Sequence, residues 1–497
     1  MNGLHTIGRW LSDRARNTPE RVAIEFADVR WTYADLARRS RRMAAALADR
    51  GVARGDRVAT LTANSPEHVA LLFACADLGL ALQPLNWRLT PSELRYQLDD
   101  AEPALLVVES EHRALAEQAD ANVARVTFEE LEAADGAVPD VEVRDEDPLL
   151  LAYTSGTTGK PKGAVLTHAN CFWTNLSFDR TSGIADDDVV LQVLPQFHSG
   201  GWNVQPLLAW WKGATVVLEP SFDPARALGL IESKRVTTMM GVPATYLFMA
   251  EQPEFATCDL SSLRLAVVGG APMPESLLEI WHARGVGIVQ GYGLTEAAPN
   301  VLCVPPEDAA RKLGFAGKPY PHVDVALRDP ESGALLDGAA TGELVVRGPN
   351  VFAGYWRNPE ATAAAFADGW LLTGDLAERD DEGHYRIVGR LKDLVISGGE
   401  NVYPAEVEDV LHAHPAIAEA AVVGVPDERW GEVCVAFVVE RPGHDLDEAA
   451  VLEWCGERLA RFKVPRSVRF VEALPRSGMD KVLKDELRAT ALEGAVG

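Results

Sequence analysis

Residues 153–163 read YTSGTTGKPKG: three glycines, four Ser/Thr hydroxyls and two lysines in eleven positions. Glycine lets a backbone turn several N–H groups toward one point, hydroxyls add short-range donors, and lysines add charge. The guest that suits such a loop is a polyphosphate. It is not a Walker A loop, which needs GxxxxGK[ST] opening a helix; here GTTGK is too short and Pro161 follows. A surface linker can share this composition, so the reading depends on companions. These are VVGGAP (267–272), QGYGLTE (290–296), TGD (373–375), GRLKDLVISGGENVYPAEVE (389–408) and PRSGMDKVLKDELR (475–488).

The elements that must position these segments show in the apolar rhythm. RVAIEF, RVATLT, ALLVVE, VVLQVLP, ATVVLEP, LRLAVVGG and GVGIVQGYG are short apolar runs, separated by helical lengths and closed by Gly, Pro or a charge. Continuous rather than alternating apolar strands indicate sheets covered on both faces, an α/β architecture. Residues 33–50 read as a helix stopped by Gly51, and Ser65-Pro66 as the N-cap and first turn of the next. After about residue 340 the strands crowd together between Asp/Gly turns. From Pro404 follow a helix, two strands and a helix capped by Asp445. A chain of 497 residues exceeds a single core, and we expect domains at 1–391 and 392–497.

Composition excludes several classes. Hydrophobic residues make up 47% and charged residues 24%, an ordinary globular balance. A formal charge of −26 argues against a nucleic-acid binder. The six cysteines have no metal-ligand spacing and read as reduced buried thiols. The apolar stretch at 69–85 is interrupted by Asp77 and Gln83 and is too short to span a membrane, so the expectation is a cytoplasmic protein without stable membrane insertion.

With its motifs in this order, the chain resembles the adenylate-forming superfamily of acyl-CoA synthetases, firefly luciferase and peptide-synthetase adenylation domains. The resemblance covers nearly the whole length and is nearest to bacterial fatty-acyl-CoA synthetases. It implies a large N-terminal domain of α/β sheets with a β-barrel-like part, and a small mobile α+β C-terminal domain. It also implies an acid activated by ATP as an acyl-adenylate, with Mg²⁺, and then passed to a second nucleophile.

The roles below are those the resemblance implies. Thr154, Ser155, Gly156, Thr157, Thr158, Gly159 and Lys160 cradle the β- and γ-phosphates. Gly270, Ala271 and Pro272 wall the adenine slot, and Gln290, Gly291, Tyr292 and Gly293 line it, with Tyr292 against the base. Thr295 donates to the α-phosphate and Glu296 holds Mg²⁺. Asp375 accepts the ribose hydroxyls and Arg390 reaches the ribose or phosphate. Lys481 is the catalytic lysine, although Asp480 stands where the family has glycine; Lys484 is the second candidate. Lys392 is the hinge, and Ser397, Gly398 and Gly399 face the acceptor tunnel.

Residues 194–213, LPQFHSGGWNVQPLLAWWKG, resemble the acid-binding segment, in which His198 matches a position that gates or contacts the carboxylate. Trp202 is expected to face the cavity, block a long alkyl tunnel and stack an aromatic or polycyclic acid. Trp210 and Trp211 read as packing. Coenzyme A is the expected acceptor. The alternative is an amine, as in the amide bond synthetases of actinomycete alkaloid pathways, a reading the altered lysine loop also fits. Luciferase-like oxidation and a non-catalytic nucleotide sensor are the remaining readings.

Overall fold

The computed structural model describes residues 3–119, 121–134, 136–154, 160–397, 400–427, 429–444, 446–476 and 482–493. Helices and sheets alternate in a mixed α/β architecture, and each short apolar run named above holds a strand. The chain divides into two compact units. One comprises Met1–Met273, Leu277–Val325 and Val346–Leu372, the other Pro274–Ser276, Ala326–Val345 and Thr373–Gly497.

Among the described residues, the first unit carries a nine-stranded and a seven-stranded sheet. In the larger, Ile288–Gly293, Leu265–Val268, Thr238–Gly241, Val189–Gln192, Thr215–Leu218 and Val22–Phe26 run parallel. Their residues are mostly buried, as the apolar runs require of strands with helices on both faces. In the other sheet, Arg57–Leu61 lies between Ala81–Pro84 and Leu105–Val108, all parallel. The hairpin of Pro148–Thr154 and Lys162–Thr167 adds an antiparallel side.

Local signals set the helix boundaries. Thr32 and Asp35 form a reciprocal cap on Tyr33–Asp49, and Gly51 follows at φ +78°. Ser65 accepts from the His68 N–H to open Pro66–Leu78, which Gly79 ends in the left-handed region. That helix is apolar all round because it is buried, which accounts for the apolar stretch. Among the described residues no helix is long and apolar enough to cross a membrane. All six cysteines are buried and free.

The second unit contains a largely antiparallel sheet in which Ile417–Asp427 and Gly431–Glu440 form the long central pair. Val402, Leu411, Val422, Ala436 and Val438 build its core under the helix Pro404–His412. The helix Glu448–Gly456 is capped by Asp447, whose side chain accepts from the Ala450 N–H; Asp445, the expected cap, lies outside the described residues.

Candidate active site

The Gly/Ser/Thr-rich segment joins two paired antiparallel strands: Thr154, at the end of one, pairs with Lys162, at the start of the next. Ser155, Gly156, Thr157, Thr158 and Gly159 lie outside the described residues. Both roots of the segment are held by one helix, Pro91–Ala101. The Tyr96 hydroxyl donates to the Pro161 carbonyl at 3.2 Å, and the Tyr153 hydroxyl donates to Asp100 Oδ2 at 2.6 Å. Lys160 Nζ lies 5.8 Å from the centre of the Tyr96 ring. Burial, and then the Asp100 carboxylate, push both phenols above their ordinary pKa, so each remains a donor. Sequence reasoning missed Tyr96 and Asp100, because a helical i,i+4 pair carries no mark of what it will face.

The strand Ile288–Gly293 ends in a tight turn, Thr295–Ala297. A Cβ on Gly293 would sit 1.9 Å from the Pro299 carbonyl oxygen, so only glycine fits there. The turn presents Thr295 and Glu296. Ser199 Oγ donates to Thr295 Oγ1 at 3.4 Å. Glu296 Oε1 accepts from Thr154 Oγ1 at 3.3 Å and from the Tyr355 hydroxyl at 2.9 Å. The structure therefore joins the mouth of the Gly/Thr loop to the QGYGLTE motif. Ser199 and Tyr355 were not read from the sequence. GYW (354–356) is the signal that could have suggested Tyr355, a short apolar segment displaying a phenol.

Gln290 braces the residues expected to form the adenine slot. Its Oε1 accepts from the Met273 N–H at 3.3 Å, next to Gly270, Ala271 and Pro272, and its Nε2 donates to the Phe315 carbonyl at 3.1 Å. Gly270 has φ +83°, a left-handed backbone that favours glycine. Tyr292 is half-buried and pairs with Leu302 across the strands, while a Cβ on Gly291 would lie 3.4 Å from the Leu302 carbonyl oxygen.

These residues fit Mg²⁺ in one specific manner. Among the described residues no cluster of three His, Cys, Asp or Glu could cage a metal. The two hydroxyls both reach Glu296 Oε1, a single oriented carboxylate. One carboxylate plus substrate phosphate oxygens is the usual way a protein holds Mg²⁺.

The second unit holds the residues expected at the ribose, the hinge and the acceptor tunnel. Asp375, only 7% exposed, lies opposite Arg390 on paired antiparallel strands, with Arg390 Nε 3.1 Å from Asp375 Oδ1. The Asp375 N–H donates to Thr373 Oγ1, whose hydroxyl donates to the Leu344 carbonyl, so the TGD turn is braced from inside. Lys392 Nζ stands 3.6 Å from Asp485. Ser397 is buried and pairs with Glu400 in a short hairpin; Gly398 and Gly399 lie outside the described residues. So does Lys481. Lys484, the second lysine candidate, is paired with Glu408 at 2.7 Å.

One expectation about the acid segment needs correction. Trp202 does not present a face to a cavity: it is fully buried, its Nε1 donates to the Gln196 carbonyl at 2.6 Å, and its ring meets His68 edge-on. The indole N–H needs a partner once buried, and the Gln196 carbonyl supplies it from within the fold. His198 is half-buried with its ring 4.6 Å from that of Phe197. Trp210 is core, and Trp211 stacks on Trp10 at 4.3 Å, both as packing residues.

Comparison with known proteins agrees with this assembly. The AMP-binding enzyme model matches residues 11–356, and the AMP-binding enzyme C-terminal domain matches 406–481. The chain is 44% identical to a feruloyl-CoA synthase of Amycolatopsis sp, covering 97% of this chain and 98% of the relative. It is also 44% identical to the indoleacetate–CoA ligase of Aromatoleum aromaticum, covering 97% of each. The solved structure of o-succinylbenzoate CoA synthetase from Bacillus subtilis with its acyl-adenylate intermediate superposes with a TM-score of 0.90. That match has 36% identity and covers 96% of this chain and 97% of the other. The chain belongs to the AMP-binding enzyme family, the adenylate-forming superfamily that its motifs resemble.

Proposed function

We propose that the protein is an ATP-dependent acid–CoA ligase that works through an acyl-adenylate and takes an aromatic acid. The observation that carries this reading is the contact between Thr154, at the mouth of the Gly/Thr loop, and Glu296. It unites a loop suited to phosphates with a carboxylate suited to their counter-ion.

A carboxylate is a poor electrophile at neutral pH. In the first half-reaction its oxygen attacks the α-phosphorus of ATP, the bond to the β-phosphate oxygen breaks, and pyrophosphate leaves. In the second, the CoA sulfur attacks the acyl carbon and AMP departs. In this reading Thr154, Lys160 and the loop between them bind the β- and γ-phosphates, and Thr295 donates to the α-phosphate. Glu296 would hold Mg²⁺, which when bound neutralises the phosphate charge. Tyr292, Gln290 and Gly270 shape the adenine slot; Asp375 and Arg390 take the ribose. Lys481 stabilises the charge that develops between carboxylate and α-phosphate. The C-terminal domain from 392 would turn at Lys392 between the two steps.

Two observations support an aromatic acid: a relative named for ferulate and another for indoleacetate. The same relatives support CoA as acceptor. The test offers purified protein Mg-ATP, a panel of aryl and fatty acids, CoA and a simple amine together, with products read by mass spectrometry. Aryl-CoA thioesters are the expected products. Amides formed with CoA ignored would replace the acceptor, and comparable turnover of palmitate would overturn the aromatic preference.

A further inference from the structure

We propose that Tyr355 is the positioning residue for Glu296. Its hydroxyl, with that of Thr154, occupies one carboxylate oxygen and leaves the other for the magnesium–nucleotide. The inference rests on the ATP-dependent reading above.

The geometry separates two tasks. The backbone of the Glu296 turn is held without the phenol. Asn350 Nδ2, on a residue only 1% exposed, donates to the Ala297 carbonyl at 2.9 Å and to the Asn300 carbonyl at 3.0 Å. The Phe352 N–H donates to the Glu296 carbonyl at 2.8 Å. The clamp is itself anchored: Asn170 Nδ2 donates to the Pro349 and Val351 carbonyls at 2.9 and 2.8 Å. What the backbone clamp leaves undetermined is the rotation of the carboxylate about its own side-chain bonds.

The Tyr355 hydroxyl fixes that rotation. It reaches Oε1 at 2.9 Å, and Thr154 Oγ1 reaches the same oxygen at 3.3 Å. The two donors come from different strands of one sheet. Thr154 ends Pro148–Thr154, and Tyr355 pairs with Ala164 in Lys162–Thr167. Tyr355 is further located by its N–H, which donates to Thr362 Oγ1 at 2.9 Å, and by Phe352, whose ring lies 4.9 Å away edge-on. A small, rigid cation demands near-octahedral geometry, so a carboxylate already turned to it binds more tightly than one free to rotate. Partners that orient a metal ligand are typically worth about ten- to a hundredfold in metal affinity.

The test is Tyr355→Phe in the full chain, which keeps the ring and its contacts and removes only the donor. Mn²⁺ affinity in the presence of a non-hydrolysable ATP analogue, read by electron paramagnetic resonance, should fall about tenfold. The melting temperature should stay near that of the parent, and metal-free analogue binding should be unchanged. The Mg²⁺ concentration for half-maximal acid-dependent pyrophosphate exchange should rise with it. In a Glu296→Gln background the Phe substitution should add nothing. Parental Mn²⁺ affinity in Tyr355→Phe, with or without a lower melting temperature, overturns the inference and leaves the ligase reading standing. A parent protein that binds no Mn²⁺ with the analogue overturns both.

Discussion

Arg390 Nε lies 3.1 Å from Asp375 Oδ1 across two antiparallel strands, and the Asp375 N–H is bonded to the Thr373 hydroxyl. The guanidinium is half exposed, so the pair itself contributes at most about 1 kcal/mol to stability. Its consequence is orientation of a carboxylate with one oxygen turned toward Arg390. Asp375→Asn should therefore raise the KM for ATP by about tenfold or more, the scale of a lost charge-assisted hydrogen bond. The KM for the acid and the melting temperature should barely move. Steady-state kinetics with varied ATP and varied acid separate these outcomes.

The strands that flank the Gly/Thr loop lean on Asp100. Asp100→Ala leaves the Tyr153 hydroxyl without its acceptor and should cost about 1–3 kcal/mol of stability. Adding Tyr153→Phe removes the stranded donor and should restore most of it. Denaturant unfolding of the two single variants and the double variant gives the coupling. Additive losses would mean the 2.6 Å contact does not hold the hairpin.

Lys481 and Lys484 should behave differently. Lys484 is spent on Glu408, which also accepts from the Val422 N–H at 2.7 Å. Lys484→Ala should lower stability by about 1–3 kcal/mol through a stranded, largely buried carboxylate, with adenylation retained. Lys481→Ala should keep the fold and lose acyl-adenylate formation by about a hundredfold or more. Pyrophosphate-exchange rates on both variants decide which lysine is catalytic.

Burial pushes the Asp77 carboxyl up to about 6, against the opposing pull of Arg41. The folded state then holds its proton more tightly than the unfolded chain, so its contribution is complete at low pH and lost as pH rises through about 6. Asp77→Asn should melt higher than the parent above that pH, with the gain shrinking as pH falls from about 6 and gone below about pH 4, the ordinary carboxylate range. Melting curves across this range check the sign.

Much of this was legible because local chemistry and global fold agree. Ser65-Pro66 and Gly51 name helix boundaries outright, and the apolar runs name the parallel strands. Thr154 and Glu296 were each visible as chemistry, but their 3.3 Å meeting joins residues 142 positions apart and no local pattern records it. Tyr355, Tyr96 and Asp100 escaped notice for that reason: a phenol's role depends on what the fold sets opposite it. Trp202 was misread because spacing beside Gly200 and Gly201 does not say whether an indole turns inward or outward. The Gln196 carbonyl decides it.

In the proposed reaction the acid is activated on ATP before any acceptor enters. The most direct measurement is exchange of labelled pyrophosphate into ATP with an aryl acid present and CoA omitted. Acid-dependent exchange is expected under these conditions, with AMP and no ADP after CoA is added. Exchange that requires CoA, or turnover that yields ADP and phosphate, would contradict it.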